Sequence, residues 1–106
     1  MNDVLLPDRI PPSLYRFFWD VDSAKVNPRT SPEYVINRLL DKGNLEAARW
    51  VLHAMPRQIV IDAFKNRRDF SPRTGTFWAQ YLGISEKEVA CLNPSYLKTR
   101  RQHWPY

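Results

Sequence analysis

The residues best able to do chemistry are cations. Lys65, Arg67, Arg68 and Arg73 place four positive charges within nine residues, and Arg100 and Arg101 lie beside His103, Trp104 and Tyr106 near the C-terminus. Clustered cations neutralise phosphates or carboxylates, and an aromatic among them adds a surface on which a base or an apolar side chain can rest. The same residue types suit a nucleic acid and an acidic protein, so spacing alone does not choose between them. Lys65, Arg67 and Arg68 also complement the negative end of a helix dipole. The excess charge is localised: residues 56–75 hold five bases against two acids and residues 91–106 three against none, within a formal net charge of +5. A surplus gathered in patches points to an anionic partner.

The other reactive types are sparse. Asp20 and Asp22 form a D-x-D, which occurs at divalent-metal sites but here leads into the turn-rich SAKVNPRT, where acidic side chains commonly cap loops. His53 falls in a helix and His103 in the tail, and Cys91 stands alone without a metal-ligand companion. Three glycines cannot build a phosphate cradle, and no serine occupies an elbow motif. Without convergent nucleophile, base and oxyanion donors, the chain is expected to be non-catalytic, with no metal and no cofactor.

The elements that position these residues are legible as helices. Asn44–Met55 carries its strong polar groups, Glu46, Arg49 and His53, on a narrow arc, so it is expected to be a central helix enclosed by those starting near residues 31, 56 and 71. Asn44 is its N-cap, with Gly43 ending the helix before it. Ser31-Pro32-Glu33 starts a helix with Val35, Ile36, Leu39 and Leu40 inward and Asn37, Arg38, Asp41 and Lys42 outward. Pro56 opens another that buries Val60, Ala63 and Phe64. Ile59 to Ile61 is also compatible with a strand, but the polar residues around it recur at helical spacing. Before these, Pro12 opens a short helix carrying Leu14, Phe17 and Phe18.

Ser71-Pro72 starts a further helix, with Phe77, Trp78, Tyr81 and Leu82 lining one face up to Gly83. Ser85 and Glu88 form a capping box for a helix through Leu92. Residues 78–92 thus fit a helix-turn-helix pair: Ala79 and Val89 at the close crossing, Gly83 in the left-handed turn, Ile84 plugging it. If the pair reads DNA, Ser85 and Lys87 face the bases while Arg73, Arg100 and Arg101 take phosphates. Against that use, the second helix exposes Glu86, Lys87 and Glu88, a net negative surface, and Pro94 cuts it short.

The fold class expected is all-α, an orthogonal bundle of five or six helices in a single domain over residues 1–94, followed by a basic aromatic tail over residues 95–106. No run of about 18 apolar residues is present and the N-terminus lacks a basic, apolar leader, so a soluble cytoplasmic protein is expected.

One wider resemblance rests on Phe18-Trp19-Asp20-Val21-Asp22, on Val35 through Gly43, on Asn66-Arg67-Arg68, on Ser71-Pro72-Arg73-Thr74, and on Phe77-Trp78, Leu82-Gly83-Ile84 and Cys91. In these the chain resembles, over roughly residues 13–92, a family of small prokaryotic proteins known only as a domain of unknown function. Such proteins look like companions of nucleotidyltransferase-type toxins, beside which they are often encoded. The resemblance implies an antitoxin or accessory role with a toxin protein as partner, and it carries over no catalytic residue. The tail after Pro94 lies outside it. A nucleic-acid-binding regulator using residues 71–92 and their basic flanks is the alternative.

Overall fold

The computed structural model describes residues 6–93. Four α-helices, α1 (Pro32–Asp41), α2 (Leu45–Ala54), α3 (Arg57–Asn66) and α4 (Pro72–Leu82), are joined by short 3-10 segments, and the fold is all-α with no strand among the described residues. Ile59 to Ile61 is helical, as the polar spacing around it required. No helix among the described residues is long and apolar enough to cross a membrane. The chain packs as two units, Met1–Val60 and Ile61–Tyr106.

In the first unit, Pro12–Phe18 is a 3-10 helix rather than an α-helix; it buries Leu14 and Phe18 and leaves Phe17 at its edge. The loop behind it is tied by Ser23, whose hydroxyl donates to the carbonyls of Tyr15 (3.1 Å) and Phe18 (3.2 Å). Helix α1 buries the expected stripe of Val35, Ile36, Leu39 and Leu40. Ser31 precedes it without a side-chain cap hydrogen bond, so the start rests on Pro32 and on Glu33 in the first turn. Asn44 does cap α2, its Oδ1 accepting from the Ala47 N–H at 3.0 Å.

The expected enclosure of α2 does not occur. Leu45 is 66% exposed and Leu52 37%, while the buried positions reduce to Ala47 and Val51 within the helix and Met55 just after it. A ten-residue helix packed against α1 buries one line at a spacing of four; of the rest of its apolar circumference, Ala48, Trp50 and Ala54 are half-covered and Leu45 and Leu52 are exposed.

In the second unit, α3 contributes Ala63 and Phe64, both fully buried, as the sequence implied. Ser71 caps α4 by accepting from the Thr74 N–H at 3.3 Å and donates its own hydroxyl proton to Thr74 Oγ1 at 2.8 Å. At the other end Gly83 has φ +71°, the left-handed conformation a side chain disfavours. Its N–H reaches the Gln80 carbonyl (3.3 Å) and that of Ile84 the Ala79 carbonyl (3.0 Å), a Schellman closure.

The second helix of the expected pair is absent. Residues 85–92 form two single 3-10 turns, Glu86–Glu88 and Ala90–Leu92. Ser85 accepts from the Lys87 N–H at 3.3 Å, and the Glu88 N–H goes to the Ser85 backbone carbonyl, so the capping box does not form. Ala79 and Val89 are buried as expected, and Gly75, also buried, marks another tight contact between α4 and these turns. A Cβ there would lie 2.5 Å from Cys91 Sγ and 3.3 Å from Val89 Cγ1. Cys91 is fully buried, with its thiol directed at the Ser71 carbonyl 3.8 Å away.

Candidate functional site

The most elaborate polar arrangement in the first unit centres on Arg38, a residue expected to face outward. Its side chain is only 13% exposed. Nη1 donates to Asp20 Oδ1 (2.7 Å) and to the Phe17 carbonyl (3.1 Å); Nη2 donates to Asp20 Oδ2 (3.1 Å) and to the Tyr34 hydroxyl (3.3 Å). The planar fork matches both carboxylate oxygens, which a lysine cannot do. Hydrogen bonding from Arg38 holds the Asp20 carboxyl below its ordinary range, and Asp20 in turn raises Arg38. Asp20 is therefore committed to a side chain of its own unit. Among the described residues no group of three His, Cys, Asp or Glu side chains comes together as a metal site.

Three rings surround the same guanidinium. The carbon at its centre lies 4.8 Å from the Trp19 ring centroid, 5.4 Å from Tyr34 and 5.7 Å from Phe18, and Phe18 meets Tyr34 edge-on at 6.0 Å. Trp19 is 68% exposed, and Val21 beside it in sequence is exposed too. An indole is thus displayed to solvent while its ring rests on a cation that four acceptor atoms hold still. Sequence reasoning did not single out Trp19 as a contact residue. Its partner is 19 residues away, beyond the reach of helical periodicity, and the D-x-D is the available hint.

In the second unit part of the basic stretch is engaged within the protein. Arg67 makes a fork to Asp69, Nε to Oδ1 at 3.0 Å and Nη2 to Oδ2 at 2.6 Å. Lys65 lies 4.0 Å from a Glu88 carboxylate oxygen. Arg68 and Arg73 are exposed, as are Ser85 and Lys87. Ser85 and Lys87 sit on a 3-10 turn rather than on a helix that could enter a groove. The remaining candidates, Arg100, Arg101, Trp104 and Tyr106, lie outside the described residues.

Helix α4 holds a second display, because the four aromatic and aliphatic residues expected on one face divide between core and surface. Phe77 and Tyr81, expected to share one face with Trp78 and Leu82, are instead 58% and 55% exposed. The buried set is Gly75, Trp78, Ala79 and Leu82. At about 100° per residue, Phe77 points roughly 150° and Tyr81 roughly 110° from its centre. Each exposed ring meets Trp78 edge-on at 5.2 Å; Trp78 stacks with Phe64 at 6.4 Å and Phe64 with Phe70 at 4.1 Å.

What remains is likeness to known proteins. A family of unknown function, DUF6922, matches residues 14–63. The chain is similar to that family over just under half its length. The DUF6922 match holds the whole Arg38 arrangement, from Phe17 to Tyr34 and Arg38, and it stops before α4 and the basic stretch. No curated protein and no solved structure matches the chain.

Proposed function

We propose that the protein is a non-catalytic cytoplasmic binding protein whose partner docks on Trp19, and that it serves as an antitoxin-like accessory to a nucleotidyltransferase-type toxin. The observation that carries the docking reading is the exposed indole seated on an immobilised guanidinium. Tryptophan is among the residues most often dominant in an interface, and one held by a fixed neighbour loses little freedom when a partner covers it. Val21 extends the apolar surface, and Asp20, tied to Arg38, offers a neutralised rim. The toxin as partner follows from the family resemblance and the company such genes keep.

Co-expression with the product of the adjacent toxin-type gene tests this reading. The two chains should co-purify, and Trp19→Ala should weaken their association about 30-fold or more, the effect of losing a central aromatic anchor. Binding unchanged by Trp19→Ala would remove Trp19 from the interface, and failure of the wild-type pair to associate would remove the toxin. Anisotropy of a labelled DNA duplex at two salt concentrations addresses the alternative: nucleic-acid binding should fall steeply with added salt. The helix that alternative would place in a groove is missing, so the toxin reading is preferred.

A further inference from the structure

Arg73, Phe77 and Tyr81 follow one another at intervals of four on the face of α4 turned away from its buried set, and all three are exposed. Such an i, i+4, i+8 row is one of the ridges by which helices pack. Laid antiparallel on a second copy of itself about a two-fold axis through Phe77, the row brings Phe77 against Phe77 and each Arg73 against the other copy's Tyr81. We propose that α4 is the interface of a weak symmetric homodimer, formed by this row on two copies of the chain. The row shares no residue with the Trp19 display, and the proposal does not rest on the toxin reading.

Three features on the helix favour a second copy as the occupant. Arg73 is the only ionised side chain between Pro72 and Leu82, so the antiparallel arrangement opposes no like charges and provides each cation with an aromatic face. The parallel arrangement would instead set Arg73 against Arg73. Next, the rings are already fixed from behind, since Phe77 and Tyr81 both rest on the buried Trp78, and association orders little that is not ordered beforehand. Finally, an isologous contact needs each residue to find a partner on the same patch, and a row whose two ends complement each other about a central ring satisfies that with three positions. A single helix of 11 residues offers less surface than a standard interface, which sets the strength as weak.

Sedimentation of the full chain from roughly 10 µM to 1 mM tests the proposal, in the range where interfaces below standard size associate. The weight-average mass should climb from 12.6 kDa toward twice that value. Phe77→Glu places two carboxylates at the centre and should hold the mass at that of one chain. Tyr81→Glu gives each Arg73 a carboxylate across the axis; it should still dimerise, now with a strong dependence on salt. The double change Arg73→Glu, Tyr81→Glu opposes acid to acid and should be monomeric. All three positions are exposed, and circular dichroism of each variant confirms the fold. A wild-type mass that stays at one chain throughout overturns the proposal, as does dimerisation that survives Phe77→Glu or a Tyr81→Glu variant that is monomeric at low salt.

Discussion

The two units solve the same problem, how to hold an aromatic side chain at the surface, by different physics. Around Arg38 the organiser is a cation: its guanidinium is fixed by Asp20, the Phe17 carbonyl and the Tyr34 hydroxyl, and Trp19 rests on it. Along α4 the organisers are other rings, with Trp78 backed by Phe64 and Phe64 by Phe70. The first arrangement gains direction from hydrogen bonds and is exposed to pH and charge. The second depends on shape and apolar area, which pH does not touch. Substitutions should therefore fail in different ways in the two places.

The largest effect is expected at Phe64. It is fully buried and stacked between Phe70 and Trp78, so Phe64→Ala removes a whole ring and leaves a cavity. A loss of about 3 to 5 kcal/mol is expected by urea unfolding, with little dependence on pH between about 5 and 8. A loss under about 1 kcal/mol, or one that varies strongly across that pH range, would contradict a purely packed stack.

Next in size is Gly75→Ala. The added Cβ would fall 2.5 Å from Cys91 Sγ, on a short side chain with little room to retreat, so overpacking should cost about 1 to 3 kcal/mol even though alanine is the better helix former. Cys91→Ala in the same background should recover part of that cost. The coupling between the two positions, measured by a double-mutant cycle, should reach about 0.5 kcal/mol or more. Strict additivity would mean that the contact is not where the strain arises.

What can be read in advance divides along the range of the forces involved. The buried stripe of α1, the caps at Asn44 and Ser71 and the left-handed Gly83 are set by neighbours within five residues, and each is where the sequence places it. Helical phase turns Arg38 outward because it says nothing about Asp20, 18 residues away. Leu45 and Leu52 belong to an apolar circumference, but apolar character does not count the neighbours able to cover it. Gly75 is a signal that sequence reasoning can use: glycine inside a helix costs about 1 kcal/mol and invites a search for a close approach. The failed helix over 85–92 shows a hydroxyl and a glutamate in cap spacing without the length that would make a helix worthwhile.

A smaller effect is expected from Arg38→Lys, which keeps the charge and loses the fork. Asp20 is half-exposed, so the lost bonds are partly replaced by water and stability should fall by less than at Gly75. The local consequence should exceed the global one. The indole N–H resonance of Trp19 should move and broaden as its support becomes a mobile ammonium, whereas that of Trp78 should stay in place. Movement of both signals would mean that the cation organises more than its own surroundings.

The smallest effect, and the most diagnostic, is the pH dependence of Asp20→Asn. Because Arg38 depresses the Asp20 carboxyl below its ordinary value of 3.8 in the folded chain, the ionised form is favoured by folding. Its contribution is therefore fully present above that ordinary value and is lost as pH falls through the lower, folded one. The stability difference between the wild type and Asp20→Asn should be level above about pH 5 and shrink toward zero in acid. The other carboxylates titrate in both proteins and cancel in the difference. A difference that holds constant to the acid end would show that the amide costs something other than the charge-assisted bonds. The contrast between a cation-held surface and a ring-held one would then lose its clearest support.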